Sequence, residues 1–148
     1  MSAYPESIKF YAYLNSAWFE ITSDVVDQVS GYWGMRSNKE IDRVADTGKM
    51  NMTLDNTTGK YSPNLVGALS GWKKGVPIKM DITFRGRSHI KFRGVVDSVK
   101  IDAGALGARR AYVTVTDWMD YAAKYPLVSP GIQNNKRAND ALDSIVYN

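Results

Sequence analysis

The sequence predicts an all-β, mainly antiparallel domain: a small β-barrel or sandwich of roughly six to eight strands. One or two short helices are expected, the last near the C-terminus. Three observations carry this. Several segments alternate apolar and polar residues with strict period two. Turn-forming clusters separate them. Glycines stand where strands of a curved sheet would bend.

Residues 8–14 alternate Ile8, Phe10, Ala12 and Leu14 against Lys9, Tyr11 and Tyr13. Asn15-Ser16 is a turn and residues 17–21 return, giving a hairpin. Thr22-Ser23-Asp24 caps a single helical turn over Val25, Val26 and Val29. Residues 31–35 read as a short strand with Gly34 at a bulge. Residues 36–46 are a polar loop with room for a short strand at 41–44.

Met50, Met52 and Leu54 then face one way and Lys49, Asn51, Thr53 and Asp55 the other, followed by the turn formers Asp55-Asn56-Thr57-Thr58-Gly59. Residues 63–72 are irregular or one helical turn, with Leu65, Val66 and Leu69 at helical spacing. Residues 78–84 alternate again. Arg85-Gly86-Arg87-Ser88 turns the chain, 89–93 return, and Gly94 lets the strand bend into 95–101. After a loop at 102–107, residues 111–116 form a further strand. Asp117 caps a short helix over 118–125, stopped by Pro126.

Residues 1–126 are thus expected to form one domain. Residues 127–148 read as a linker followed by the start of an amphipathic helix, with Ala138, Ala141, Leu142 and Ile145 on one side. That helix ends at Asn148 without a C-cap. It belongs to a further, absent domain or is a frayed terminus.

The 148 residues suffice for one hydrophobic core, and 44% apolar with 23% charged residues is ordinary for a globular chain. With no cysteine, thiolate chemistry and disulfides are excluded. His89 is the one histidine, so a multi-histidine metal site is excluded and any catalytic triad would need this residue. No apolar run reaches spanning length, and the N-terminus lacks a basic segment followed by an apolar one. No enzymatic activity and no cofactor are expected.

The net charge of +4 is mild. Its strongest concentration lies on the predicted hairpin over 78–93. There Ile78, Met80, Ile82, Phe84, Ile90 and Phe92 are expected on one face. Lys79, His89, Lys91 and Arg93 are expected on the other with Asp81 and Thr83, and Arg85 and Arg87 sit at the tip. Lys79, His89, Lys91 and Arg93 are the candidate partner-facing set, for an acidic protein surface or a phosphate backbone. A solvated face kept soluble by cations is the plainer reading. No aromatics are interleaved on that same face, so base stacking is not expected. The scattered aspartates sit at turns and helix starts, where carboxylates cap, rather than as a glycosidase pair. The aromatic content leaves a small-barrel binding module for oligosaccharide or nucleic acid as the alternative function.

The strand and loop over 47–63 resemble a recurrent element of tailed-phage minor tail proteins, the tail-tip (baseplate) hub family. The element ends in Leu54-Asp55-Asn56, Gly59 and Tyr61-Ser62-Pro63. Lys74-Gly75-Val76-Pro77-Ile78 resembles the strand opening that follows in that family. Phe92-Arg93-Gly94-Val95 and Val113-Thr114-Val115-Thr116-Asp117 resemble its later strands in the same order. The resemblance covers residues 8–125. The segment Asn38-Lys39-Glu40-Ile41-Asp42-Arg43 departs from the arginine-rich stretch common there.

The resemblance implies a tube-like barrel that rings up as a homotrimer and joins the tail tube to the tip. Its partners would be itself, the tail tube and other tail-tip proteins, with nucleic acid only as passing phage DNA. It implies a virion location after assembly in the host cytoplasm. The resemblance leaves room for cell-wall-degrading or receptor-binding domains in longer relatives.

Overall fold

A computed structural model describes residues 4–34, 46–63, 65–104 and 109–124. The predicted strand at 41–44, the loop at 105–107 and everything from 125 onward, including the predicted linker and terminal helix, lie outside the described residues. Among these residues seven strands follow in order: β1 (Ser7–Leu14), β2 (Ala17–Glu20), β3 (Ser30–Gly34), β4 (Asp46–Asp55), β5 (Pro77–Phe84), β6 (Arg87–Asp102) and β7 (Arg110–Thr116). A 3-10 turn, Thr22–Asp24, follows β2, and one helix, α1 (Trp118–Lys124), follows β7. The all-β class therefore holds.

All strands belong to one antiparallel sheet in the order β2-β1-β5-β6-β7-β4-β3. Among the described residues it is not closed by strand pairing; β2 and β3 are its two ends. It nevertheless wraps one core. Phe10, Ala12 and Leu14 of β1 share a buried cluster with Met50, Met52 and Leu54 of β4, at the far side of the sheet. Ile78, Phe92, Val96, Val113 and Val115 fill it from the middle strands. The alternation read from the sequence is the cause: one face of every long strand is apolar, and curling is how a single sheet buries that face.

The connector after β2 bridges the seam between the two sides. The Ile21 N–H donates to the Phe10 carbonyl at 2.9 Å and the Val26 N–H to the Thr53 carbonyl at 3.0 Å. The helical turn expected over Val25, Val26 and Val29 is instead this short 3-10 turn followed by a bridge of Val25 to Leu54. Extended chain won because it satisfies backbone groups of β4 that would otherwise be buried without partners.

Two hairpins turn through two residues each. Asn15 and Ser16 take φ of 49° and 66°, and Arg85 and Gly86 take 51° and 71°. Left-handed pairs of this kind match the twist of the flanking strands. Three register shifts interrupt the ladders: between β3 and β4, between β5 and β6, and between β6 and β7. The predicted helical contact at 63–72 becomes successive turns. Leu69 packs against the core, while Leu65 and Val66 are exposed.

Under the sheet, the loop after β4 is a buried polar knot. Asn56 is fully buried; its Nδ2 donates to Ser62 Oγ at 2.9 Å and its Oδ1 accepts the Tyr61 N–H at 2.8 Å. Tyr61 stacks edge-on against Trp72, whose indole N–H donates to the Tyr61 carbonyl at 3.1 Å.

Candidate functional site

The face of the sheet away from the core gathers aromatic and cationic side chains from four strands. Pairing sets Tyr11 of β1 opposite Lys79 of β5, and Lys79 opposite Arg93 of β6, so the three form one row. Tyr13 and Trp18 pair across β1 and β2 with ring centroids 5.2 Å apart. The Lys79 ammonium stands 4.5 Å from the Tyr11 ring and 5.2 Å from the Trp18 ring. The Arg93 guanidinium stands 5.4 Å from Trp18. Lys79 also pairs with Asp81 at 2.9 Å, with both side chains largely covered. The other Asp81 oxygen is buried without a hydrogen-bond partner. Ring quadrupoles and one carboxylate together hold this ammonium in place.

The candidate set from the sequence divides here. Lys79 and Arg93 are adjacent on the outer face. Lys91 is the extra residue of a bulge: Met80 pairs with Phe92, whereas the next residue, Asp81, pairs with Ile90. One extra residue moves every side chain before it to the opposite face. His89 consequently lies opposite Ile82 and Arg87 opposite Phe84, on the continuation of the apolar face. Ile90, expected beside Phe92, is 56% exposed on the outer face, and Phe92 is 4% exposed in the core.

The aromatic partners were hidden from the sequence reading for a related reason. Tyr11, Tyr13 and Trp18 lie on the first hairpin, far from Lys79 in the chain, and only the β1–β5 pairing brings them onto its face. Their signal was the outward period of β1 itself.

Beside this array α1 forms the wall of an apolar cleft of about 380 Å³, lined by Pro77, Arg93, Gly94, Val95, Trp118 and Tyr121. Asp117 fixes the helix as the sequence predicted. Its Oδ1 accepts the Met119 N–H at 3.0 Å, while Oδ2 accepts the Gly48 N–H of β4 at 2.8 Å. Gly48 gives that carboxylate room, since a Cβ would stand 2.6 Å from its oxygen and would displace it.

Proton-transfer chemistry finds little footing. The Tyr61 phenol donates to Asp24 at 2.5 Å, and Lys60 reaches the same carboxylate at 2.6 Å. Burial first, and then the Asp24 hydrogen bond, push the phenol far above its ordinary value, so it keeps its proton. His89 is exposed and makes no hydrogen bond or ion pair among the described residues. Nor is there, among the described residues, a group of three or more acidic or histidine side chains able to hold a metal ion.

No protein-family model matches the sequence, and no curated protein matches it. A solved structure does: the prophage MuSo2 43 kDa tail protein from Shewanella oneidensis, with a TM-score of 0.53 and 14% sequence identity. The match covers 96% of this chain and 39% of that one, so the chain spans about two-fifths of the length of that tail protein. At this identity the likeness is one of fold: nearly the whole chain has the architecture of part of a phage tail protein.

Proposed function

We propose that this chain is a structural subunit of a phage tail tip or baseplate hub, acting by assembly and without turnover. In this reading copies ring up as a homotrimer that joins the tail tube to the tip, in the virion. The observation that carries it is the open sheet: among the described residues β2 and β3 leave two unpaired edges, on a domain whose fold is shared with a tail protein. Unpaired edges are a standing invitation to strand pairing. Two different edges on one chain suit a head-to-tail contact, which closes into a ring when the rotation between copies permits. The tail tube and other tail-tip proteins are the remaining partners.

Copurification with the cognate tail-tube protein tests the partner assignment. Retention of tube protein on the immobilised chain is expected. Its absence under conditions where tube and tip otherwise assemble would remove the hub role.

The array of Tyr11, Trp18, Lys79 and Arg93 supports a second reading, a small-barrel module for oligosaccharide or nucleic acid. Against it, cations already stand over the Tyr11 and Trp18 rings that a sugar or base would use. Salt-dependent oligonucleotide binding lost in Arg93→Glu would favour this second reading.

A further inference from the structure

Strand β6 is covered on one edge only along its first half. β5 pairs with it from Arg87 to Val95, whereas β7 joins the opposite edge only from Val95 onward. Among the described residues nothing pairs with that opposite edge over residues 87–93. A row of cations accompanies the bare backbone: Arg87, Lys91 and Arg93, with Arg85 in the adjoining turn. None forms an ion pair among the described residues. By contrast Lys9, Lys60, Lys74, Lys79, Arg110 and Lys124 each sit on a carboxylate. The bulge at Lys91 sends these cations to both faces, so they flank the edge rather than coat one side. Glu6 lies at the hairpin tip, its carboxylate engaged with the Gly86 N–H at 3.2 Å.

We propose that the free edge of β6 over residues 87–93 accepts an extended acidic segment of another protein as an added strand. A strand edge offers N–H donors and carbonyl acceptors alternately, and a peptide satisfies both. A phosphodiester backbone only accepts, and would leave the edge carbonyls unmatched. A second copy of this chain carries a net charge of +4, so charge disfavours it as the occupant of a cationic edge. Cations along an edge repel basic strands and give a neutral one no charge pairing, so the same side chains that guard it select an acidic one. Pairing runs along residues 87–90, before the bulge. Exposed Ile90 supplies an apolar contact, and Arg87 and Lys91 reach carboxylates beside it, while Arg93 is held over Trp18 on the outer face. This goes beyond the ring reading and does not depend on the β2 and β3 edges.

The test uses the full chain and three probes of matched charge: a short capped peptide alternating Glu and Thr, the same peptide with Pro for Thr, and a DNA duplex. The Glu/Thr peptide is expected to bind and to slow amide exchange at residues 87–90. The Pro peptide, lacking half its N–H donors, is expected to bind about tenfold more weakly. Arg87→Glu/Lys91→Glu is expected to shift preference to a Lys/Thr peptide. Equal binding of the Pro peptide or the duplex, or unchanged amide exchange in the unsubstituted chain, would overturn the proposal. Self-association abolished by the same double substitution would overturn it in favour of a second copy.

Discussion

Two side chains hold the loop after β4, and each gives a measurable consequence. Asn56 is read from the sequence as one turn former among five, yet it is the buried centre of a hydrogen-bond knot. Asn56→Ala leaves the Ser62 hydroxyl and the Tyr61 N–H without their partner, at a cost of about 2–3 kcal/mol. Urea unfolding measures this, and a loss below about 1 kcal/mol would mean that water replaces the amide. Tyr61 gives a pH signature. Its folded-state pKa lies above the ordinary value of 10.0, so its contribution is complete below that value and declines as pH rises through and beyond it. Tyr61→Phe is expected to cost about 1 kcal/mol at neutral pH and to flatten the alkaline loss of stability. An unchanged alkaline limb would show that other groups govern it. Nothing in the local spelling separates Asn56 from Asn15 or Thr57; burial is decided by what packs above it.

Among the elements, strands and their inward faces were legible because period two is written directly into β1, β4, β5 and β7. The cap of α1 at Asp117 was legible for the same local reason. Of the three bulges only the one beside Gly34 was legible, from the glycine itself; the other two depend on the register of two strands and leave no mark on either alone. The bulge at Lys91 accounts for the misplaced Ile90 and for the separation of His89 from Arg93. Glycines sort by structure too. A Cβ at Gly94 would stand 2.3 Å from the Thr116 carbonyl oxygen, whereas one at Gly86 meets nothing within 4 Å. Gly94→Ala must therefore pry β6 from β7, costing about 2–4 kcal/mol. Gly86→Ala has only its φ of 71° to oppose it, about 1 kcal/mol. Thermal melts of the two variants should separate accordingly; equal melting temperatures would refute the close approach. Asp117→Ala removes the helix cap and the acceptor of the Gly48 N–H together. The expected cost is about 1–2 kcal/mol, with faster amide exchange at Gly48 as the diagnostic.

At the level of the whole molecule, the candidate partner-facing residues are parts of two surfaces rather than one. Lys79 and Arg93 belong to an aromatic face assembled across four strands, while Lys91 and Arg87 border a bare edge of β6. Sheet order creates both, and sheet order is a long-range property that no local pattern records. The central claim concerns the other two edges. Phe19 of β2 is 47% exposed at one end of the sheet, and a lysine there would guard the edge without disturbing the core. Light scattering coupled to size exclusion, across a concentration series, compares the unsubstituted chain with Phe19→Lys. A rise to a discrete trimer, abolished in the variant while its melting temperature is kept, is the result this account predicts. A monomer at every concentration, or a trimer indifferent to Phe19→Lys, would contradict it.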